Sequence, residues 1–332
     1  MGTLVQLLRK NGFILALLGA VVVAFLIPQA GAPDGPLHAG LLSKAGVMVI
    51  FFLQGLSLKT RQLAHGLRDL RIHGFVQAWI FLLSPIVLIS AGLAMRALSI
   101  NELAGGFFYL ALIPTTISSA VAFTSAANGN VAAAIFNTTL SNVIGVFWVP
   151  TGCLLVFSTG GGFQGELIGP LLLKLAWLIL LPLIAGQLIR PLVYQRDWFG
   201  RISPGFKLIN HGIILFIVFT AFSKSVLNDI WSHVAPASIV ILLMLTLLSV
   251  LMIHGAVWIS SGWFFKSSSD RNAALFCGSQ KTLAAGAPMA VAIFATNGHL
   301  GDVNLSLILL PLLCYHPMQL FLAAFLLPRL TR

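Results

Sequence analysis

One lysine carries the strongest chemical signal in this sequence. Lys281 lies inside the apolar stretch Asn272–Thr296, in the segment Cys277-Gly-Ser-Gln-Lys-Thr282, with Gly286-Ala-Pro-Met289 close behind. The eight acidic residues, Asp34, Asp69, Glu102, Glu166, Asp197, Asp229, Asp270 and Asp302, all fall in loops or at the ends of apolar stretches. A lysine near the centre of a membrane helix costs about 2.5–3.5 kcal/mol on insertion scales. Arg271, at the polar end of the stretch, is ten residues away, on the order of 15 Å of helix, farther than a lysine side chain can snorkel. The charge must therefore face a polar cavity, pair with something other than a carboxylate of this chain, or be lost by deprotonation. Two roles fit. The ammonium is a packing cation satisfied by backbone carbonyls, or it attracts an anionic substrate or stands in for a bound cation. Gly278, Lys281 and Ala285 would share one helical face, which lets neighbouring backbone approach.

A second cluster surrounds Pro114: Thr115, Thr116, Ser118, Ser119, Thr124 and Ser125, six hydroxyls within eleven residues. A hydroxyl in a membrane helix often bonds back to its own i−4 carbonyl, but six around a proline point to a substrate or ion site. Of these, Thr115, Thr116, Ser118 and Ser119 form the candidate binding constellation together with Ser279, Gln280, Lys281 and Thr282. Asn128-Gly-Asn130 reads as a simple turn. His211, His254 and His316 match no metal spacing and are expected to bond neighbouring helices. Cys153, Cys277 and Cys314 give neither a metal pattern nor a disulfide framework. A Gly-rich phosphate loop, H-E-x-x-H and G-x-S-x-G are all missing, so no enzyme activity and no organic cofactor are expected.

These residues must be positioned by membrane helices. Hydrophobic residues make up 58% of the 332 and charged residues 8%, against about 25% charged in soluble domains. Apolar runs near the roughly 20 residues that cross a bilayer recur at Gly12–Pro28, Leu41–Leu58, Ile72–Leu98, Leu103–Ala127, Val131–Ser158, Gly169–Leu188, Leu208–Ser223, Val234–Trp263, Asn272–Thr296 and Leu305–Leu327. The net charge of +11 reflects topology and not a nucleic-acid partner. Arg9 and Lys10, Lys59 to Arg71, Arg190 to Lys207, Lys266 and Arg271, and Arg329 and Arg332 hold fourteen of the nineteen basic residues on one side. That side is the cytoplasm, which puts both termini there and requires an even number of spans. The glycine-rich linker 159–168 separates a first five-helix repeat, 1–158, from a second, 169–332. Five spans per half place the second half upside down, the inverted-repeat arrangement of secondary transporters. The fourth span of each half carries the polar residues with Pro or Gly that mark an interrupted helix.

At Leu112-Ile-Pro-Thr-Thr-Ile-Ser-Ser-Ala-Val-Ala-Phe-Thr-Ser, Gly129-Asn-Val-Ala-Ala-Ala and Phe276-Cys-Gly-Ser-Gln-Lys-Thr-Leu-Ala the sequence resembles the bile acid:sodium symporter family. It is most similar to the branch of bacterial sodium-dependent transporters related to the seventh human member, and the likeness runs over nearly the whole chain. The resemblance implies an all-α integral membrane protein of ten transmembrane helices in two inverted repeats. A panel domain (spans one, two, six and seven) stands against a core domain (three to five, eight to ten) whose fourth and ninth helices are broken where they cross. It also implies residence in the bacterial cytoplasmic (inner) membrane. By position, Ser119 and Thr138 match hydroxyls that coordinate sodium, and Gln280 matches a glutamine ligand. The family's asparagine after the serine is Ala120 here, and its bridging glutamate is Phe276.

A sodium ion taken out of water wants oxygens and usually a carboxylate; this chain offers none at that place. The leading expectation is a secondary transporter of a small organic anion working by alternating access, with the Lys281 ammonium at or beside a lost sodium position. One alternative keeps sodium coupling through Ser119, Thr138 and Gln280. Another is a non-transporting membrane regulator. The solute and the lipid bilayer are the only partners the sequence names, and the oligomeric state is open.

Overall fold

The computed structural model describes residues 2–32, 35–57, 69–157, 173, 175–194, 196–294 and 303–331. Among these the secondary structure is helical throughout, with no strand. The helices are α1 (Gly2–Leu26), α2 (Ala39–Ser57), α3 (Leu70–Ala78), α4 (Ser84–Ala97), α5 (Asn101–Leu112), α6 (Ser118–Ala126), α7 (Val131–Phe157), α8 (Leu181–Val193), α9 (Asp197–Ile202), α10 (Phe206–Leu227), α11 (Pro236–Phe264), α12 (Ser268–Ser279), α13 (Leu283–Phe294) and α14 (Leu305–Leu330). Among the described residues, seven continuous helical segments are long and apolar enough to cross a membrane: Ala39–Ser57, Leu70–Ala97, Val131–Phe157, Ala176–Val193, Trp198–Leu227, Pro236–Phe264 and Leu305–Leu330. Gly12–Leu26 is a shorter apolar helix, and α5–α6 and α12–α13 are helix pairs, each parted by a short irregular segment. The chain is thus an integral, multi-pass, helical membrane protein. The expected linker 159–168 and the basic segment from Lys59 to Arg68 lie outside the described residues.

Two prolines reshape their helices in the same way. A π-helical turn, Trp79–Leu83, joins α3 to α4 just before Pro85, and another, Ala176–Leu180, precedes Pro182 at the start of α8. Proline has no N–H and its ring crowds the carbonyl four residues back; widening the preceding turn relieves both problems without stopping the helix. In the first case Ser84 donates its backbone N–H to Trp79 O. The next donor in that register would be Pro85, so Ile80 O has no helical partner.

The chain divides into two compact units, one of Met1–Ser57, Gly169–Ala235 and Ala287–Ser306, the other of Leu58–Ile168, Pro236–Gly286 and Leu307–Arg332. In the first, Gly55 of α2 and Gly186 of α8 meet backbone to backbone, and the Gln187 amide donates to Gly55 O. Small residues let membrane helices approach this closely. Phe13 of α1 stacks on His211 of α10 with ring centroids 3.9 Å apart. In the second unit α5 lies buried along its length from Leu103 to Leu112, apart from the half-buried Gly105. There a Cβ on Gly106 would stand 2.6 Å from the Pro311 ring and 2.7 Å from Leu307 O. Neither neighbour can swing aside, so Gly106→Ala is expected to cost about 1–3 kcal/mol. Gly74→Ala, facing open space, is the control. Melting curves of the two purified variants check this: a Gly106→Ala curve matching that of Gly74→Ala would contradict it.

Candidate functional site

Both expected interruptions are present, and they have different origins. Ile113 precedes Pro114 and is extended (φ −71°, ψ 137°), as the proline ring demands of the residue before it; the helix resumes at Ser118. In the other pair the chain leaves α12 at Gln280 (φ −88°, ψ 153°) and re-enters a helix at Leu283. No glycine or proline occupies 280–282, and Gly286 and Pro288 lie inside α13. This break is held by tertiary partners. One consequence is a correction: Gly278, Lys281 and Ala285 do not share a continuous helical face, and Gly278 instead packs against Trp79 and Val257. The two breaks touch. Thr282 donates its N–H to Pro114 O at 2.9 Å, and Ser119 Oγ donates to Gln280 Oε1 at 2.8 Å.

Lys281 is fully buried. Its Nζ donates to Ile80 O at 3.1 Å, Ala111 O at 3.3 Å and Ile113 O at 2.9 Å. Each acceptor is a carbonyl that its own helix cannot satisfy: Ile80 O lost its partner to Pro85, and the other two sit at the C-terminal end of α5. Ser84 Oγ gives Ile80 O a second donor at 3.2 Å. A neutral amine has two N–H groups and would turn a lone pair on the third carbonyl, whereas an ammonium has three donors for three acceptors. The three acceptors thus form a cage that matches the three donors of an ammonium, placed where the negative end of the α5 dipole favours a cation. All three hydrogens are spent on carbonyls. An anion nearby would meet the charge's field and not its hydrogens.

The remaining predicted residues divide cleanly. Thr116 Oγ1 lies 3.2 Å from Ser119 Oγ, and with Gln280 these two form one polar group. Thr115 is buried, its carbonyl taken by Asn142 Nδ2 at 2.8 Å. Thr282 Oγ1 accepts the Ala285 N–H at the start of α13. Ser118 is exposed. Thr138 and Ser279 turn their hydroxyls back to Ala134 O (2.8 Å) and Leu275 O (2.6 Å) in their own helices. At the two positions where the family resemblance requires sodium ligands and this chain departs, Ala120 is buried and the Phe276 ring stacks on Phe123 with centroids 5.5 Å apart. Asn130, read as part of a turn, also ties the start of α7 to Asp270 at 2.8 Å. No group of three or more His, Cys, Asp or Glu among the described residues is arranged to hold a metal.

Sequence reasoning missed the residues that hold the second break open. Gln319 of α14 accepts the Lys281 N–H on Oε1 at 2.7 Å and donates Nε2 to Lys281 O at 2.8 Å. Its carboxamide thus pairs with extended residue 281 as a neighbouring strand would. Tyr315 donates to Ser279 O at 3.0 Å, and Tyr109 of α5 to Gly286 O at 2.6 Å. The signal was there in Cys314-Tyr-His-Pro-Met-Gln319: polar side chains one helical turn apart in an apolar run.

Comparison with known proteins follows the same residues. The chain matches the SBF-like CPA transporter family over residues 11–332. It is 34% identical to sodium/bile acid cotransporter 7 of Danio rerio over 331 residues, 98% of this chain and 95% of that one. Likeness to sodium/bile acid cotransporter 7 of Rattus norvegicus is 32% over 332 residues, covering 98% and 94%. An uncharacterized protein of Pseudomonas aeruginosa is 32% identical over 327 residues, covering 97% and 93%.

Proposed function

The chain belongs to the SBF-like CPA transporter family, a membrane transporter and not an enzyme, and we propose that it carries a small organic anion by alternating access without using a sodium gradient. The observation that carries this reading is the Lys281 ammonium seated in three backbone carbonyls beside the meeting of two interrupted helices. A tethered cation neutralises the carbonyl ends permanently. It cannot dissociate as a sodium ion does, so it cannot couple transport to a sodium gradient. Its charge, unbalanced by any carboxylate in the cage, raises the local potential in a low-dielectric setting and favours an anionic solute.

The proposed architecture has ten crossings, two of them the interrupted pairs α5–α6 and α12–α13, in two inverted five-helix repeats with both termini in the cytoplasm. The two compact units support a panel of spans one, two, six and seven and a core of the rest, apart from 287–306, which groups with the first unit. A cytoplasmic-membrane location belongs to the same proposal. Sodium coupling through Ser119, Thr138 and Gln280 is disfavoured by the Thr138 hydroxyl, committed to Ala134 O, and by the Phe276 ring.

The test is the melting temperature of the purified protein, alone and against a panel of organic anions. Replacing sodium chloride with potassium chloride at constant ionic strength is expected to leave both the baseline and the anion-induced shifts unchanged. Lys281→Glu should behave differently, because a carboxylate facing three carbonyls needs a cation between them; its stability should rise with sodium. A sodium-specific shift in the unaltered protein would overturn the proposal.

A further inference from the structure

Gln319 links residue 281 to a histidine, and the link fixes that histidine's protons. The Lys281 backbone N–H can only donate, so the Gln319 atom 2.7 Å from it must be the oxygen. The other end of the carboxamide is then NH2. One of its hydrogens goes to Lys281 O, and the other points at His316 Nδ1, 2.9 Å away. His316 Nδ1 must therefore be an acceptor, and the neutral ring carries its proton on Nε2.

We infer that His316 is a proton-binding site whose occupancy is exclusive with the Gln319 clamp on residue 281, so that binding a proton there releases the interrupted segment. An imidazolium carries hydrogen on both nitrogens, so protonation turns Nδ1 into a donor facing the NH2 of Gln319. Turning the carboxamide over would satisfy the histidine. It would also set Oε1 against Lys281 O and Nε2 against the Lys281 N–H, breaking both clamp bonds at once. Bound proton and closed clamp cannot coexist. The protonated ring would also place a second positive charge beside Lys281. The titratable and charged groups on the packed elements are Tyr109 and the exposed Glu102 of α5, Lys281 itself, Asp270, Arg271 and Cys277 of α12, the last facing Ala134 O, and Cys314, Tyr315 and Arg329 of α14; α13 has none.

A ligand that binds one arrangement of a segment and not the other shifts the balance between them. This deepens the sodium-free reading and rests on it: the lysine fills the cage permanently, and the clamp on its backbone is what a proton on His316 would open.

Hydrogen exchange of the full-length protein in detergent, without any solute, tests the inference. After correction for intrinsic rates, protection of the peptide containing 280–282 should fall roughly tenfold between about pH 8 and pH 5. His316→Asn puts a non-titrating acceptor near the Nδ1 position and should keep the high-pH protection while abolishing its pH dependence. Nitrogen NMR of histidine-labelled, unaltered protein should show the Nε2–H form of His316 at high pH, a readout that does not depend on any variant folding. Flat protection across that pH range, an unchanged titration in His316→Asn, or an Nδ1–H tautomer would each overturn the inference. Exchanging sodium for potassium at fixed pH in the same experiment reads the Lys281 proposal separately, since a sodium effect would sink that proposal whatever the pH response.

Discussion

Lys281→Met is expected to melt roughly 5 °C below the unaltered protein. Methionine matches the lysine stem in length and shape but has no hydrogens to give. Ala111 O and Ile113 O then lose their donor inside a fully buried site, while Ile80 O retains Ser84 Oγ. A buried group left without a partner costs about 1–3 kcal/mol, and bonds to a charged donor are the stronger kind. The loss should total about 3–5 kcal/mol, which for a chain of this size is a shift of that order. The cost of carrying a charge into the membrane does not cancel the loss, because it falls on the inserted but unfolded chain as well.

A companion variant separates cage from packing. Lys281→Ala leaves room beside the same carbonyls, so part of the stability should return with sodium or methylammonium chloride and not with choline chloride, whose cation is too bulky to enter. The unaltered protein, with its cage already filled, should not respond. A Met variant melting within a degree or two of the original would show that the ammonium does not hold these helix ends together.

The second large effect is expected from Gln319→Leu. It removes both bonds to the peptide of residue 281 and leaves a buried N–H and a buried C=O unpaired, at about 2–6 kcal/mol. The loss is local in its consequences. The second break has no proline or glycine of its own, and the carboxamide replaces the hydrogen bonds that a continuous helix would have made. Without it, the segment should either rejoin α12 and α13 or lose order, and hydrogen exchange over 276–289 should change far more than over α7. Tyr315→Phe, which gives up one bond to Ser279 O, should cost much less, on the order of 1 kcal/mol. If Gln319→Leu and Tyr315→Phe melt alike, the clamp is not what keeps the break open.

Legibility from sequence follows from the kind of information each feature needs. The break at Ile113 is readable because its cause is local: Pro114 has no N–H and restricts the residue before it. The second break was marked by its polar residues, but its position was not, since Gly286 and Pro288 draw attention and yet lie inside α13. The hydroxyl cluster was visible as composition. Only geometry shows that Ser119 and Thr116 join Gln280 while Thr138 and Ser279 turn back on their own helices.

Lys281 shows the division most sharply. The sequence alone established that a lysine stands deep in an apolar run without an acidic partner, that the chain crosses a membrane many times, and that a proline interrupts one polar span. All of these depend on residue types and on distances along the chain. What satisfies the ammonium depends on carbonyls 201, 170 and 168 residues away, one exposed by a π-turn before Pro85 and two by the end of a helix. Any backbone has carbonyls, so no residue type announces them. Which of them lack partners, and which helix ends meet, was decided only when the chain packed.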